Sequence, residues 1–367
     1  MRDIFFNESG IRELAGNLKA AWRPFDERAF LAAILPCMPP LGLNERNALV
    51  RDTIRANLPD DFRKAVAILL RALGPERPNE GPDSYPGFYI MAVCAYVAEY
   101  GIDDPETALP ALREMTKRFS AEFAIRPFLD RHTNRTLAEL HSWAVDPHPQ
   151  VRRLASEGSR PRLPWGMRLH RFIKDPEPVL EILELLKEDP ELFVRRSVAN
   201  NLNDIAKDHP DRVVATLKRW KKSRNPGTQW LVKHALRTLL KQGHPEALEL
   251  LGYPRDARVE VRGLRVAPRR IAVGDAVTLS FELRSTAPTA QSLMIDYVMH
   301  HVKANGATSP KVFKLTTKRL KPGESVRVEK RHSFRPIGIR PYYPGRHEVE
   351  IQVNGRRRAK AAFELVK

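Results

Sequence analysis

The sequence predicts an all-α HEAT-like repeat solenoid over residues 1–255, followed by a small all-β immunoglobulin-like sandwich over residues 256–367. Three observations carry that reading. Apolar residues recur at helical spacing through the first two-thirds of the chain. A segment opened by Asp-Pro returns with a period near ~40 residues, as in stacked helix pairs. After Gly252-Tyr253-Pro254 the pattern changes to short alternating segments separated by turn residues.

In chain order, Arg63–Leu73, Tyr89–Glu99, Ala108–Phe119 and Val179–Lys187 carry apolar residues three and four apart, the spacing of one helix face. Gly74-Pro75 and the cluster from Gly81 to Gly87 break the pattern, and the second reads as a solvent loop. Asp146-Pro147-His148-Pro149-Gln150-Val151-Arg152-Arg153-Leu154-Ala155 returns as Asp189-Pro190-Glu191-Leu192-Phe193-Val194-Arg195-Arg196-Ser197-Val198, 43 residues later. A weaker copy opens at Asn225-Pro226. Pro is tolerated in a first helical turn, and the Asp before it is expected to cap free amides. A helix pair buries its apolar face only by stacking on the next pair, hence a solenoid.

Seven alternating segments follow: Val259–Val266, Ala276–Arg284, Ser292–Val302, Val312–Leu320, Glu324–Phe334, His347–Val353 and Ala359–Val366. Turn residues at Gly274-Asp275, Pro322-Gly323, Pro344-Gly345 and Asn354-Gly355 divide them. That number of short strands suits a two-sheet sandwich, although no Cys…Trp…Cys pattern accompanies it.

The formal charge is +18 and unevenly spread. Residues 258–367 hold 23 Lys+Arg against 9 Asp+Glu, leaving 39 against 35 for residues 1–257. A basic field of this kind captures polyanions, or serves only solubility. Cys37 and Cys94 stand alone in apolar stretches without ligand spacing, so they read as buried apolar residues in a reducing compartment. The N-terminus has no signal-like apolar run, and the longest apolar stretch, Phe88–Val97, is too short to span a bilayer. A cytoplasmic, monomeric protein without membrane, metal or cofactor partners is expected. Walker, HExxH, GxSxG and GxGxxG motifs are absent, so chemistry must come from isolated carboxylates, aromatics and cations.

Three places concentrate such groups. Leu112, Met115 and Phe119 form a stripe whose continuation lands on Glu122 and Arg126. A carboxylate there implies a raised pKa or a cationic partner, or else a simple Glu122–Arg126 pair at a helix boundary. On the expected helix Phe193–Lys207, Arg196, Asn200, Asp204 and Lys207 share a polar face in register with Arg153 of the preceding repeat. Stacking would align Arg153, Arg196 and His234 for phosphates, unless the face is only solvated. Finally, Ala155 to Gly166 interrupts the repeat with Arg160, Arg162, two prolines and Trp165. The indole suits stacking on a base or attraction of a cation, or plugs a gap between helices.

At these places the chain resembles the AlkC group of DNA alkylation-repair glycosylases, relatives of AlkD in the HEAT-like repeat superfamily. The match spans roughly residues 5–252. It is most specific at Ser120-Ala121-Glu122-Phe123-Ala124-Ile125-Arg126-Pro127-Phe128, at Val151 through Gly166, and from Val194 through Asp204. The resemblance implies excision of cationic bases such as 3-methyladenine and 3-methylcytosine from duplex DNA, without full base flipping. It places Glu122 and Asp204 as acidic groups near the lesion sugar, with Trp165 and Phe123 against the substrate. It further implies Arg152, Arg153, Arg160, Arg162, Arg195, Arg196 and Asn200 on the DNA. Some members of the group carry an added C-terminal immunoglobulin-like domain, in line with residues 258–367.

Overall fold

A computed structural model describes residues 6–76, 87–336 and 341–367. The expected loop from Gly81 to Pro86 lies outside the described residues. Contacts divide the chain into two compact units, Met1–His209 with Arg219–Ala235, and Pro210–Lys218 with Leu236–Lys367. The change of sequence character near residue 255 therefore falls inside the second unit.

In the first unit the helices are α1 (Glu8–Ala21), α2 (Glu27–Ile34), α3 (Leu43–Asn57), α4 (Phe62–Arg71), α5 (Ile90–Tyr100), α6 (Pro105–Thr116), α7 (Ile125–Arg131), α8 (Thr133–Trp143), α9 (Pro149–Gly158), α10 (His170–Lys174), α11 (Glu177–Leu186), α12 (Leu192–Ile205) and α14 (Pro226–Ala235). α13 (Pro210–Trp220) runs across the unit boundary. Side-chain caps define several starts. Asn7 accepts from the Gly10 amide at 2.8 Å, Asp26 from Ala29 at 2.9 Å and Asp61 from Lys64 at 2.9 Å. α12 packs on both α9 and α14, and α3 packs on α5. The core of the site-bearing segment is Val151, Leu154, Val194, Val198 and Leu202, all fully buried.

The Asp-Pro junctions work differently from expectation. Asp146 and Asp189 do not cap a helix. Each accepts the amide two residues on, His148 at 2.8 Å and Glu191 at 2.9 Å, in an Asx turn ahead of the helix. Each also receives an arginine from the preceding repeat. Arg113 Nε donates to Asp146 at 2.8 Å, and Arg152 Nε to Asp189 at 2.6 Å. α6 also ends earlier than its stripe implies, at Thr116, so residues 117–124 are turns and irregular backbone. Cys94 is buried on α5 as expected, whereas Cys37 is exposed, because the chain leaves α2 at Ile34 and turns.

In the second unit α15 (Arg237–Gln242) and α16 (Pro245–Leu250) precede eight strands among the described residues. β1 (Val259–Ala267), β3 (Ala276–Ser285) and β6 (Ser325–Ser333) form one sheet in the order β1-β3-β6. β2 (Arg270–Ala272), β8 (Arg356–Val366), β7 (Gly345–Val353), β4 (Gln291–Val302) and β5 (Thr308–Leu320) form the other, in that order. Val277, Leu279, Phe281 and Leu283 alternate inward from β3 against Leu293, Ile295, Tyr297 and Met299 of β4. Sequence reasoning missed β2, a three-residue strand pairing parallel to β8, because it is too short to alternate visibly. The β7–β8 turn has Asn354 and Gly355 at φ 45° and 77°, the conformation of a tight primed hairpin turn. A Cβ on Gly355 would stand 2.3 Å from the Gly243 Cα, so this turn meets the end of α15 backbone to backbone.

Candidate active site in the helical unit

The site begins with the helical period of α9. Pro149 occupies its first turn and the His148 ring accepts the Gln150 amide at 3.2 Å. Val151, Leu154 and Ala155 face the core, which turns Arg153 and Glu157, four residues apart, along another line. Arg160 follows three residues beyond Glu157, just past the helix end. From α12, Ser197, Asn201 and Asp204 recur at helical spacing and are buried. Asn201 Nδ2 donates to the Ser156 carbonyl at 2.8 Å, and Ser156 Oγ lies 2.6 Å from Ser197 Oγ. This polar seam joins α9 to α12.

Along it runs a row of alternating charges. Arg153 Nη1 donates to Glu122 Oε2 and to Ser120 Oγ, both at 2.8 Å, and Ser120 Oγ donates to the same carboxylate at 2.9 Å. Arg153 Nη2 also stands 3.9 Å from Glu157 Oε1. Glu157 accepts from Arg160 Nη1 at 2.6 Å and from Ser197 Oγ at 2.6 Å. Arg160 Nε then donates to Asp204 Oδ2 at 2.8 Å, while Lys207 Nζ donates to Asp204 Oδ1 at 2.9 Å. Three carboxylates and three cations thus alternate along one row, with Glu157, Arg160 and Asp204 buried. Burial opposes the charged form of Glu157, but Arg153, Arg160 and the Ser197 hydroxyl outweigh it and hold the carboxyl below its ordinary range. Burial likewise opposes the Arg160 charge, and Glu157 and Asp204 more than compensate. The row therefore presents Glu157 as a carboxylate, able to stabilise a developing cation or to orient water.

Glu157 is the candidate site residue that sequence reasoning missed. Its signal was available in the spacing, four residues after Arg153 and three before Arg160. Glu122 was found from a stripe that the structure does not continue, since it sits on a turn. Its cationic partner is Arg153, while Arg126 bonds to main-chain carbonyls. Asp204 does not line a solvated face as the helix pattern suggested. It is 3% exposed, because α9 packs over that side of α12.

Trp165 plugs no gap between helices. It is 79% exposed, on a loop where its own φ is +65°. Arg126 anchors that loop, with Nε donating to the Met167 carbonyl at 2.9 Å and Nη1 to the Gly158 carbonyl at 2.7 Å. One guanidinium therefore ties the residue after Glu157 to the residue two beyond Trp165. Phe123 is half-buried and lines a cavity of about 140 Å³ with Asn47, Met91, Cys94 and Ala98.

The arginines expected on DNA divide into groups. Arg153 and Arg160 belong to the charge row. Arg152 clasps Asp189, and Arg195 Nη1 donates to the carbonyls of Asp189 and Pro190 at 2.6 and 2.7 Å. Arg162 pairs with Asp208 at 2.8 Å. Arg196 is exposed and Asn200 half-buried on α12. Counted from the junctions, the third copy has buried Val232 where Arg153 and Arg196 stand, while His234 stacks on Trp230 at 4.8 Å. Among the described residues, no group of three or more His, Cys, Asp or Glu is placed to hold a metal ion, and no helix is long and apolar enough to cross a membrane.

Comparison with known proteins now places the arrangement. Residues 91–239, which contain the whole charge row, match the family described as DNA alkylation repair enzyme. Residues 260–367 match the C-terminal Ig-like domain described for the uncharacterised protein YhaZ. The chain belongs to this family of DNA alkylation repair proteins with a C-terminal Ig-like domain. Within it, the chain is 36% identical over 361 residues to the uncharacterized protein YhaZ of Bacillus subtilis (strain 168), covering 98% of each. It is 40% identical, with a TM-score of 0.91, to the alkylpurine DNA glycosylase AlkC of Pseudomonas fluorescens, solved bound to DNA containing an abasic site analog. That match covers 100% of this chain and 99% of the other. The AlkC-type resemblance drawn from the stretches Ser120–Phe128, Val151–Gly166 and Val194–Asp204 is thereby confirmed.

Proposed function

We propose that the protein is a monofunctional DNA glycosylase of base excision repair, hydrolysing the N-glycosidic bond of cationic alkylated bases such as 3-methyladenine and 3-methylcytosine. The observation that carries this reading is the row of arginine-braced carboxylates on a helical unit whose relative is an alkylpurine DNA glycosylase. The repeated Arg–Asp clasp supports a HEAT-like solenoid as the frame, and the exposed Trp165 suits a base left partly stacked in duplex DNA.

The chemistry follows from the lesion. A base methylated at a ring nitrogen already carries positive charge. It departs with the electron pair of the C1′–N bond and needs no proton from a general acid. The sugar gains oxocarbenium character, water adds to C1′, and its proton passes to a carboxylate or to solvent. A carboxylate about 4 Å from the forming cation contributes ~4 kcal/mol at an effective dielectric near ~20, worth about 10³ in rate. Glu122, Glu157 and Asp204 supply such groups; Arg153, Arg160 and Ser197 fix them in place. Electron-rich Trp165 favours the same cation. Arg162, Arg196 and Asn200 serve the DNA backbone, while Arg152 and Arg195 are committed to the repeat junctions.

Release of free methylated base from methylated duplex DNA tests this function. Wild-type release, abolished in the Glu122→Gln, Asp204→Asn double variant, is the expected result. Release no greater than that of the variant defeats it. A second reading, a non-catalytic nucleic-acid scaffold, draws on the same buried pairing of Asp204. It predicts that Asp204→Asn loses DNA affinity, whereas a catalytic Asp204 loses turnover about 10²–10³-fold with affinity retained.

A further inference from the structure

Arg126 is fully buried, yet it hydrogen-bonds to the main chain and not to a carboxylate. Its guanidinium is spent on two main-chain carbonyls, Gly158 at the end of α9 and Met167 on the loop after Trp165. Burying a cation is costly: desolvation and the nearby Arg160 lower its pKa to about 10, and the charges of Glu122, Asp204 and Glu157 offset only part of that. An arrangement of that cost needs a structural purpose, and the neighbouring glycines indicate one. A Cβ on Gly158 would stand 2.5 Å from the Ile125 side chain, so only glycine lets α7 approach α9 this closely. A Cβ on Gly166 would meet Arg126 Nε and the Leu163 side chain, each at 3.2 Å. Between these contacts the chain carries Trp165 with φ +65°, a left-handed conformation that is unfavourable for a non-glycine residue and persists only when its surroundings enforce it.

We propose that Arg126 is a positioning residue, whose bonds to the Gly158 and Met167 carbonyls hold the loop that presents Trp165 to the lesion and register it against Glu157. The part concerning the lesion rests on the glycosylase reading; the part concerning the loop does not. Arg126 touches neither substrate nor reacting atoms. It acts through Trp165, so its removal should matter little once the indole is gone.

The experiment has two arms on the full chain. Hydrogen–deuterium exchange and Trp165 emission, isolated by subtraction of a Trp165→Phe background, report the loop without reference to activity. Arg126→Met is expected to speed exchange across residues 159–169 at least ~10-fold and to shift the Trp165 emission, with α12 unchanged. In the base-release arm, Arg126→Met is expected to lower kcat about 10–100-fold in the wild-type background and less than about 3-fold in a Trp165→Ala background. Arg126→Lys, which keeps the charge and part of the bonding, should recover an intermediate rate. If Arg126→Met does not fold, Gly166→Ala disturbs the same contact from the loop side, and Arg126→Lys carries both arms. Unchanged exchange and emission in the 159–169 loop overturns the proposal. So do acceleration spread equally over α9 and α12, and full additivity with Trp165→Ala. A wild-type protein that releases no base defeats the glycosylase reading alone, since the exchange arm still decides the role of Arg126.

Discussion

Glu157 occupies the middle of the charge row, with Arg153 and Arg160 on either side and the Ser197 hydroxyl below. Its lowered pKa gives a sign-definite prediction. A carboxyl whose folded pKa lies below its unfolded value near ~4.3 adds stability that is fully present above that value. The contribution is lost as pH falls through the folded pKa. The difference in Tm between wild type and Glu157→Gln should therefore be largest near neutrality and shrink below about pH 4. A difference that stays constant down to pH 3 would show that Glu157 is not held ionised. The same residue explains what the sequence could disclose at this scale. Residue type and spacing single out Glu122 and Asp204, their place near the lesion sugar is what the AlkC resemblance implies, and the reasons for their placement lie in tertiary packing. Glu157 went unremarked because a carboxylate between two basic residues on a helix resembles an ordinary solvated pairing. Only the packing of α12 over α9 makes it an enclosed group.

The repeated element of the helical unit is the arginine clasp. Arg113 reaches Asp146 and Arg152 reaches Asp189, each one repeat onward. At the third junction the carboxylate is replaced by Asn225, and Arg195 Nε is buried without a hydrogen bond. Arg195 Nε and Asn225 Oδ1 converge on Gly227, at 2.8 and 3.0 Å from where its Cβ would be. Asp189 is almost completely enclosed, so removing its partner leaves a buried charge alone. Arg152→Met is expected to cost about 3 kcal/mol, a fall in Tm of roughly 6–12 °C. Asn225→Asp should supply the missing carboxylate and raise Tm by roughly 2–4 °C. Thermal unfolding decides both; an Asn225→Asp variant less stable than wild type would show that the third junction does not share the clasp. The period was visible in the sequence because Asp-Pro is a conspicuous pair, but its use was not. Capping is a local role that spacing can suggest, whereas a clasp between repeats depends on residues 33 and 37 positions apart. The early end of α6 and the short β2 escaped for the same reason, since neighbouring packing sets their limits.

Charge is distributed unevenly over the chain, and under the proposed function this assigns chemistry and DNA capture to different parts. The row around Glu157 is self-neutral, three carboxylates against three cations. The segment 258–367 instead holds 23 Lys+Arg against 9 Asp+Glu. For the proposed substrate, a cationic lesion is not attracted by a basic site and phosphates are not attracted by an acidic one, so separating the two fields would serve both requirements. On the three-stranded sheet, Arg265 and Arg331 are exposed and stand opposite Ser280 and Thr278 across β3, with no carboxylate as their cross-strand partner. They are suitable positions from which to measure what the sandwich contributes. Cutting the domain off is less informative, because α15 and α16 belong to the same compact unit and the Gly243–Gly355 contact would be lost. Each phosphate contact steepens the dependence of log K on log salt by about 0.9. The Arg265→Gln, Arg331→Gln double variant is therefore expected to flatten the slope by up to about 1.8, to weaken duplex binding, and to leave single-turnover base release at saturating DNA unchanged. An identical slope in variant and wild type would remove these two arginines from the DNA surface, and a loss of single-turnover rate at saturation would contradict the separation of capture from chemistry.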